Sequence, residues 1–246
     1  MNDLTVLVLL GAFIVLTIAS TIRATAGFGF SLVAVPPLAL LIDPVTAVVV
    51  AASMAAPLSV WIAIKDRHHV DRRIAGLVLG FGLAGVPLGV WILNVLSAEF
   101  LMVVIAVIVL IGTVMVWRRV TIPGGHISVA AVGAFSGASF GATGIDGPPM
   151  VAALQGMGLE PRVQRATLAV AFSGTSIAAI VGYGFTNQLT ATVGATLLVG
   201  LPALFVGIWV GEQLFSRLNA MRFRQVVLTL LVVSSISVIT RATVLA

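Results

Sequence analysis

The sequence predicts an all-α integral membrane protein with two homologous five-segment halves in inverted orientation and broken helices at stretches rich in glycine and proline. Three observations support this fold class. Of the 246 residues, 60% are hydrophobic and only 9% are charged, which is too little polar surface to cover a soluble globule. Apolar runs long enough to cross the hydrocarbon recur along the whole chain. The second half also repeats the motif order of the first half.

The composition excludes several classes of protein. The formal charge of +5 does not indicate nucleic-acid binding, because the basic residues lie singly or in small groups between apolar runs, as topology signals do. The start Met1-Asn2-Asp3 lacks the basic region of a signal peptide, so the first apolar run is predicted to be a retained span. With no cysteine and no cluster of histidines and acids, the sequence predicts no metal and no cofactor.

The first half begins with an apolar run that ends at Arg23, where a break rich in glycine and hydroxyl residues follows up to Phe30. Asp43 before Pro44 is a good helix start signal, since aspartate caps helices and proline suits their first turn. A charged loop at residues 65–73 precedes two further runs. The predicted segments of this half are 4–22, 31–42, 45–64, 74–96 and 100–117.

The second half contains the most conspicuous break, Gly137-Ala-Ser-Phe-Gly-Ala-Thr-Gly-Ile-Asp-Gly-Pro-Pro-Met150. Its glycines weaken a helix, and Pro148 and Pro149 remove two backbone donors, so the stretch predicts a break followed by a new helix start. Unpaired backbone groups at membrane depth are tolerated only where protein or a water-filled cavity covers them. An enclosed polar site is therefore expected here.

Motifs of the first half recur in the second half in the same order and at slowly growing spacing. The matched motifs are Pro36-Pro37 with Pro148-Pro149, Asp43-Pro44 with Glu160-Pro161, Gly89-Val-Trp91 with Gly207-Ile-Trp209, and Phe100 with Phe223. A repeat at this scale specifies architecture. The predicted repeats are residues 1–120 and 121–246.

The basic residues decide between parallel and inverted halves. Five segments per half place most basic loops on one side, whereas four segments per half scatter them over both sides. Ten segments with both chain ends outside the cytoplasm are therefore predicted. An odd number per half inverts the repeats and brings the two breaks together near the midplane. Segments 31–42 and 150–159 are short for crossing, so they could be half-helices.

The two breaks are suited to binding a small anion. Helix starts after Phe28 and after Gly147 would direct unpaired N–H groups and positive dipole ends into the breaks, and glycines allow close approach to the backbone. Arg23 could bind oxygens in bidentate geometry, or it could reach the headgroups as a topology signal. The candidate substrate-binding residues are Arg23, Thr25, Gly27, Gly29, Ser31, Ser139, Thr143, Gly144 and Gly147.

Asp146 is the one acid that is not plainly in a loop or at a helix cap. Burying a charged carboxylate is expensive, so an intramembrane aspartate is a functional candidate, here for proton coupling. The alternative is that Asp146 caps the helix that starts after the break. Both interpretations remain open from the sequence.

The residues around the breaks resemble those of a known family. Arg23-Ala-Thr-Ala-Gly-Phe-Gly-Phe-Ser-Leu-Val-Ala-Val-Pro-Pro, Gly141-Ala-Thr-Gly-Ile-Asp-Gly-Pro-Pro-Met and Arg165-Ala-Thr are similar to the sulfite exporter TauE/SafE family of membrane permeases. The resemblance implies a transporter, not an enzyme, that moves sulfite or small organosulfonates across the bacterial inner membrane. Asp146 departs from the family pattern, in which a small residue is common there.

Other interpretations compete with this one. A carrier of small carboxylates would need a similar site. A structural membrane subunit would not need two costly breaks, and an intramembrane hydrolase built from His126, Ser139 and Asp146 has no supporting spacing. The predicted partners are a small anion and the lipid bilayer, not nucleic acid, and a homo-oligomer remains open. Gly76, Gly80, Gly82, Gly85 and Gly89 predict close helix contacts.

Overall fold

The computed structural model describes residues 6–215 and Thr229, and within these residues the chain is helical with no strand. In chain order the helices are α1 (Val6–Ala26), α2 (Phe30–Leu41), α3 (Pro44–Lys65), α4 (Arg72–Val95), α5 (Ala98–Arg118), α6 (His126–Thr143), α7 (Gly147–Gly156), α8 (Pro161–Phe185) and α9 (Ala191–Phe215), with a 3₁₀ turn at Arg67–His69. The all-α prediction is confirmed for these residues. The last predicted segment, which begins at Phe223, lies outside them.

Six of the described helices are long and apolar enough to cross a membrane, namely α1, α3, α4, α5, α8 and α9. Helix α2 has 12 residues and α7 has 10. At a rise of about 1.5 Å per residue, these two helices are roughly 18 and 15 Å long. The hydrocarbon core is roughly 30 Å thick, so neither short helix crosses it alone. The long helices make the chain a multi-pass membrane protein.

Each short helix folds back along the helix that precedes it. A Cβ atom placed on Gly11, near the start of α1, would lie 3.0 Å from the side chain of Leu41 at the end of α2. In the second half, the Ile122 N–H donates to the Ala152 carbonyl at 3.1 Å and joins the segment before α6 to α7. The pairs α1–α2 and α6–α7 are therefore helical hairpins, with residues 27–29 and 144–146 as the two hairpin tips.

The hairpin tips contain glycines in the left-handed region, where other residues are strained. The φ angle is 80° at Gly27, 90° at Gly29 and 72° at Gly144. A tight reversal at a helix end commonly needs such a conformation, which accounts for glycine at these positions. A Cβ atom on Gly147 would lie 3.3 Å from Phe28 Cδ2 and 3.6 Å from the Gly29 nitrogen, so the two tips lie against each other.

Helix α6 continues farther than the sequence predicts. The glycine-rich stretch predicts a break from Gly137 onward, but the helix runs to Thr143 and the break is confined to residues 144–146. A Cβ atom on Gly137 would collide with the Gly82 carbonyl of α4, and one on Gly141 would lie 2.6 Å from the Val86 carbonyl oxygen. These glycines stay helical because close packing outweighs their weak helix propensity.

The glycines of α4 lie on two different faces. A Cβ atom on any of Gly82, Gly85 or Gly89 would come within 2.8 Å of an atom of α6 or α8, so the predicted close contacts are confirmed at these positions. Among the described residues, Gly76 and Gly80 do not show the predicted contact, because they are exposed and no atom lies within 4 Å of such a Cβ. They lie on the face of α4 that turns away from the other described helices.

These two faces give a matched test of close packing. Gly85→Ala should destabilise the protein by about 1–3 kcal/mol, because the added methyl group is forced against the Ala134 carbonyl. Gly80→Ala adds the same group where space is open, and it should be neutral or slightly stabilising because alanine favours the helix. Thermal unfolding in detergent measures both. Equal unfolding temperatures for the two variants would contradict the packing described here.

A second close helix pair joins α1 to α9. A Cβ atom on Gly207 would lie 2.6 Å from the Thr17 carbonyl oxygen, and one on Gly211 would lie 2.8 Å from the Thr21 carbonyl oxygen. In the same way α4 packs mainly on α6. Each predicted half therefore packs a helix against the other half, and the halves interlock.

Helices α3 and α8 pack along each other in opposite directions. At the start of α3, Asp43 Oδ1 accepts the Thr46 N–H at 3.0 Å, which confirms the predicted Asp-Pro cap. Glu160 occupies the matching position before α8, but its side chain makes no capping hydrogen bond. After the end of α3, Asp66 Oδ2 lies 3.7 Å from Arg165 Nε in the first turns of α8. The end of one helix thus meets the start of the other.

Candidate functional site

The candidate site lies where the first hairpin tip meets α3 and α8. Arg23, in the last turn of α1, is only 2% exposed. Its Nη2 donates to Ser59 Oγ on α3, and its Cζ lies 5.3 Å from the ring centroid of Phe172 on α8. The side chain turns into the protein rather than towards a headgroup. The interpretation of Arg23 as a surface topology signal is therefore wrong.

The surroundings of Arg23 fix its guanidinium and leave one donor open. Ser59 is fully buried and donates its own hydroxyl proton to the Ala55 carbonyl at 2.7 Å, so its lone pairs are free to accept from Arg23. The Phe172 ring offers its negative face to the cation. Among the described residues, Arg23 Nε has no hydrogen-bond partner. A buried cation with an unsatisfied N–H is suited to binding an oxyanion.

Asp146 belongs to the second hairpin tip and is 7% exposed. It occupies the N-cap position of α7, but its side chain accepts no capping hydrogen bond, so the capping interpretation is wrong for this structure. At φ −130° and ψ −22° the backbone is outside the extended region that directs a cap side chain onto the first turn. The Oδ2 atom has no partner among the described residues.

Two serines of α6 hold the second hairpin tip in place of a cap. Ser136 Oγ donates to the Asp146 carbonyl at 3.2 Å, and Ser139 Oγ donates to the Ile145 carbonyl at 2.6 Å. Both serines are buried. They satisfy backbone carbonyls that the break leaves without a helical partner, as membrane interiors require.

Asp146 lines a small cavity between four helices. The cavity has room for roughly one water molecule. Its lining residues are Val78, Gly82, Gly133, Ser136, Gly137, Asp146, Met150, Ala171, Phe172 and Thr175. Phe172 thus contacts Arg23 and also lines the Asp146 cavity. Arg23 and Asp146 attract each other electrostatically through this region. This cavity is too small for a sulfite-sized ion.

The other candidate hydroxyl groups are turned towards the backbone. Thr25 donates to the Thr21 carbonyl at 2.6 Å and Thr143 to the Ser139 carbonyl at 2.8 Å. The Ser139 hydroxyl likewise donates its proton to the Ile145 carbonyl. Each hydroxyl has a single proton, so in this state these groups have no donor left for an anion. Ser31 is buried in the first turn of α2.

The candidate glycines differ in the space beside them. A Cβ atom on Gly27 would lie 2.9 Å from Arg165 Cγ, and one on Gly144 would lie 3.4 Å from the Val48 carbonyl oxygen. Gly29 has no such neighbour within 4 Å among residues 6–215. Of the glycines at the two tips, Gly29 is therefore the one that leaves room for a ligand beside its backbone.

The comparison with protein families gives one match. The model for the family described as Sulfite exporter TauE/SafE matches residues 12–238, which spans both predicted halves. The chain belongs to the sulfite exporter TauE/SafE family. Among the curated proteins and the solved structures compared, none matches it. Family membership and the apolar helices together make the protein a transmembrane transporter.

The structure adds residues of this TauE/SafE protein that the sequence analysis missed. Ser59 and Phe172 contact Arg23, and Thr175 lines the Asp146 cavity. A polar residue within an apolar helix is a signal that could have identified Ser59. Phe172 carries no such signal, because an aromatic side chain in an apolar run is ordinary.

Phe172 can be tested through its contact with Arg23. Phe172→Leu should weaken sulfite binding about fivefold, since a buried cation–π contact is worth about 1 kcal/mol and leucine keeps an apolar side chain of similar size. Phe172→Tyr, which retains the ring face, should bind nearly as well as the wild type. Phe185, 85% exposed at the end of the same helix, provides the matched control Phe185→Leu.

Binding can be measured as the sulfite-dependent rise in unfolding temperature of the detergent-solubilised protein. Equal sulfite affinities for Phe172→Leu and Phe185→Leu would exclude a positioning role for Phe172. The unfolding temperature without sulfite reports any general loss of stability.

Proposed function

We propose that this TauE/SafE protein is a secondary transporter that moves sulfite or small organosulfonates by proton-coupled alternating access. The observation that supports this most directly is the buried Arg23, which is held by Ser59 and Phe172 and whose Nε has no hydrogen-bond partner in the part of the chain that the structure describes. The family description names a sulfite exporter. A permanently charged, preorganised guanidinium at membrane depth has little use in a structural subunit.

The anion would bind between Arg23 and the hairpin tips. Helices α2 and α7 begin at the tips, so their positive dipole ends face the same region. Helix α2 offers its first N–H groups, whereas Pro148 and Pro149 leave Gly147 as the N–H donor at the start of α7. Arg23 supplies the full positive charge, in the planar geometry that matches sulfite or sulfonate oxygens. In this proposal the site comprises Arg23, Thr25, Gly27, Gly29, Ser31, Ser139, Thr143, Gly144 and Gly147.

Asp146 would carry the coupled proton. It is buried, it faces a cavity of about one water, and its Oδ2 has no partner in the described part of the chain. Burial disfavours the charged carboxylate, while the nearby Arg23 favours it. Binding of an anion to Arg23 would weaken that stabilisation, so Asp146 would take up a proton together with the anion.

The architecture proposed for this mechanism is an inverted repeat of residues 1–120 and 121–246. Two hairpins of the same design, α1–α2 and α6–α7, support it, as does the matched packing of α4 on α6 and of α9 on α1. The antiparallel helices α3 and α8 would lie on either side of the pseudo-two-fold axis. In this proposal the hairpin tips are breaks of membrane helices near the midplane.

Contacts near Asp66 would close the site on one side. Arg162 Nε and Arg165 Nε lie 4.0 and 3.7 Å from Asp66 oxygens, and the Arg165 side chain covers Gly27 of the first hairpin tip. Opening of these ion pairs would expose the tips to the cytoplasm. The segment at 118–126 lies on the same face, because Gly124 packs against Gly156 at the end of α7.

The orientation gives a topological prediction. If the basic segments face the cytoplasm of a bacterial cell, tags at both chain ends should react with membrane-impermeant reagents from outside, and cysteines introduced at Arg67 or Arg72 should not. Labelling in intact cells, with permeabilised cells as the control for reactivity, measures this. Chain ends on opposite faces would contradict the five-plus-five arrangement.

The function itself is tested by transport in proteoliposomes. Labelled sulfite should exchange against internal sulfite, and a panel of sulfoacetate, thiosulfate and simple carboxylates in the internal solution gives the substrate class. Liposomes without protein and with the Arg23→Gln variant are the controls. A labelled carboxylate is assayed in parallel, and its exchange in the absence of sulfite exchange would favour a carboxylate carrier. No exchange with any of these anions would contradict the proposed function.

A further inference from the structure

Few charged side chains lie near the Asp146 cavity, and their charges nearly cancel. Among the described residues, the buried charged side chains are Arg23, Asp66 and Asp146. Asp66 lies with Arg162 and Arg165, away from the cavity lining. Of the described residues, this leaves one cation, Arg23, and one carboxylate, Asp146, in the inner site.

The elements packed around the cavity add no further charge to its lining. Helices α4, α6, α7 and α8 contribute apolar, glycine, serine and threonine residues, and Asp146 is the charged residue of the described lining. From α1, Arg23 acts on Asp146, and from the start of α8, Arg165 acts on Arg23. Arg165 is in turn paired with Asp66. The empty site is therefore neutral when Asp146 is ionised.

A substrate changes this balance in a way that depends on its charge. A monovalent anion added to the Arg23–Asp146 pair leaves one excess negative charge, and a proton on Asp146 removes it. A divalent anion would leave an excess negative charge even with Asp146 protonated. Excess charge is expensive in a closed site at membrane depth, where water cannot solvate it.

We infer that the site transports a monovalent oxyanion, such as hydrogensulfite or a sulfonate, together with one proton, so that each transport cycle moves no net charge. This inference rests on the proposed function and adds the charge of the substrate and the stoichiometry of coupling. When the site is empty, it holds Arg23 and an ionised Asp146. When it is loaded, it holds Arg23, the anion and a protonated Asp146. Both forms cross between the two faces without net charge.

The test measures how membrane potential affects sulfite accumulation at equal pH inside and outside. Proteoliposomes containing the wild-type protein are prepared with low internal potassium and diluted into about tenfold more potassium, so that valinomycin sets an inside-positive potential of about 60 mV. For a process that moves one negative charge, this potential changes the accumulation ratio about tenfold. The wild-type ratio should stay unchanged. Asp146→Asn, which cannot carry the proton, should show the tenfold response.

Asp43→Asn is the matched control, because it makes the same chemical change at a helix cap outside the site, where asparagine caps equally well. It should behave as the wild type. A potential-dependent ratio for the wild type would overturn the inference, whatever the behaviour of the variants. Absence of sulfite exchange by the wild type would instead contradict the proposed function, so the two failures are distinguishable.

Discussion

Asp146→Asn should exchange sulfite at close to the wild-type rate while losing at least tenfold of the accumulation that a pH gradient drives. The amide has nearly the same volume as the carboxyl group but has no titrating proton, so coupling is lost while the binding geometry is kept. Exchange and driven accumulation are measured on one preparation of proteoliposomes. Wild-type accumulation by this variant would exclude Asp146 as an obligatory proton carrier.

The same substitution should change how the protein responds to its ligand. Without the Asp146 carboxylate, Arg23 is a buried cation without a counter-charge, and the empty variant should be less stable by up to about 3 kcal/mol. Sulfite then supplies the missing negative charge. The sulfite-dependent rise in unfolding temperature should therefore be larger for Asp146→Asn than for the wild type. An equal or smaller rise would indicate that the anion binds away from Arg23.

Arg23→Gln should weaken sulfite binding about a hundredfold, equivalent to about 3 kcal/mol, because a charged bidentate donor is lost from a buried site. Arg23→Lys keeps the charge but not the planar fork, and it should be intermediate. Isothermal titration with sulfite measures all three proteins. Wild-type affinity in Arg23→Gln would place the anion site elsewhere.

Arg23→Gln also leaves Asp146 without its partner, so the free energy of unfolding should fall by about 3 kcal/mol near neutral pH. The loss should shrink as the pH falls, because a protonated carboxyl group needs no counter-charge. The double variant Arg23→Gln/Asp146→Asn should recover much of the stability but none of the sulfite binding. A stability loss that is independent of pH would argue against the coupling of these two residues.

The sequence predicted the helical class for reasons that are local. Hydropathy identifies long apolar helices, and the requirement for left-handed backbone explains Gly27, Gly29 and Gly144. The cap at Asp43 also depends on neighbouring residues alone. Such features are encoded within a few positions of each other, and the structure bears them out.

The features that the sequence did not predict depend on distant contacts. A basic residue at the end of an apolar run is compatible with a headgroup contact or with burial, and only the positions of Ser59 and Phe172 decide for Arg23. Gly80 and Gly85 look alike in the sequence, yet one faces away from the protein and the other meets α6. Aspartate is a common N-cap residue, but the backbone at Asp146 does not have the conformation of an N-cap.

The packing of α1 against α9 also constrains how the protein is made. The ribosome releases α1 early, and its partner α9 emerges only after seven further helices have been synthesised. During this interval, α1 must remain in lipid without its partner. The hydroxyl groups of Thr17, Ser20 and Thr21 donate to carbonyls of the same helix. These donors are therefore satisfied while α1 lies in lipid without α9. Final assembly follows the insertion of α9, and a nascent chain arrested before Ala191 should therefore hold α1 in lipid without its α9 contacts.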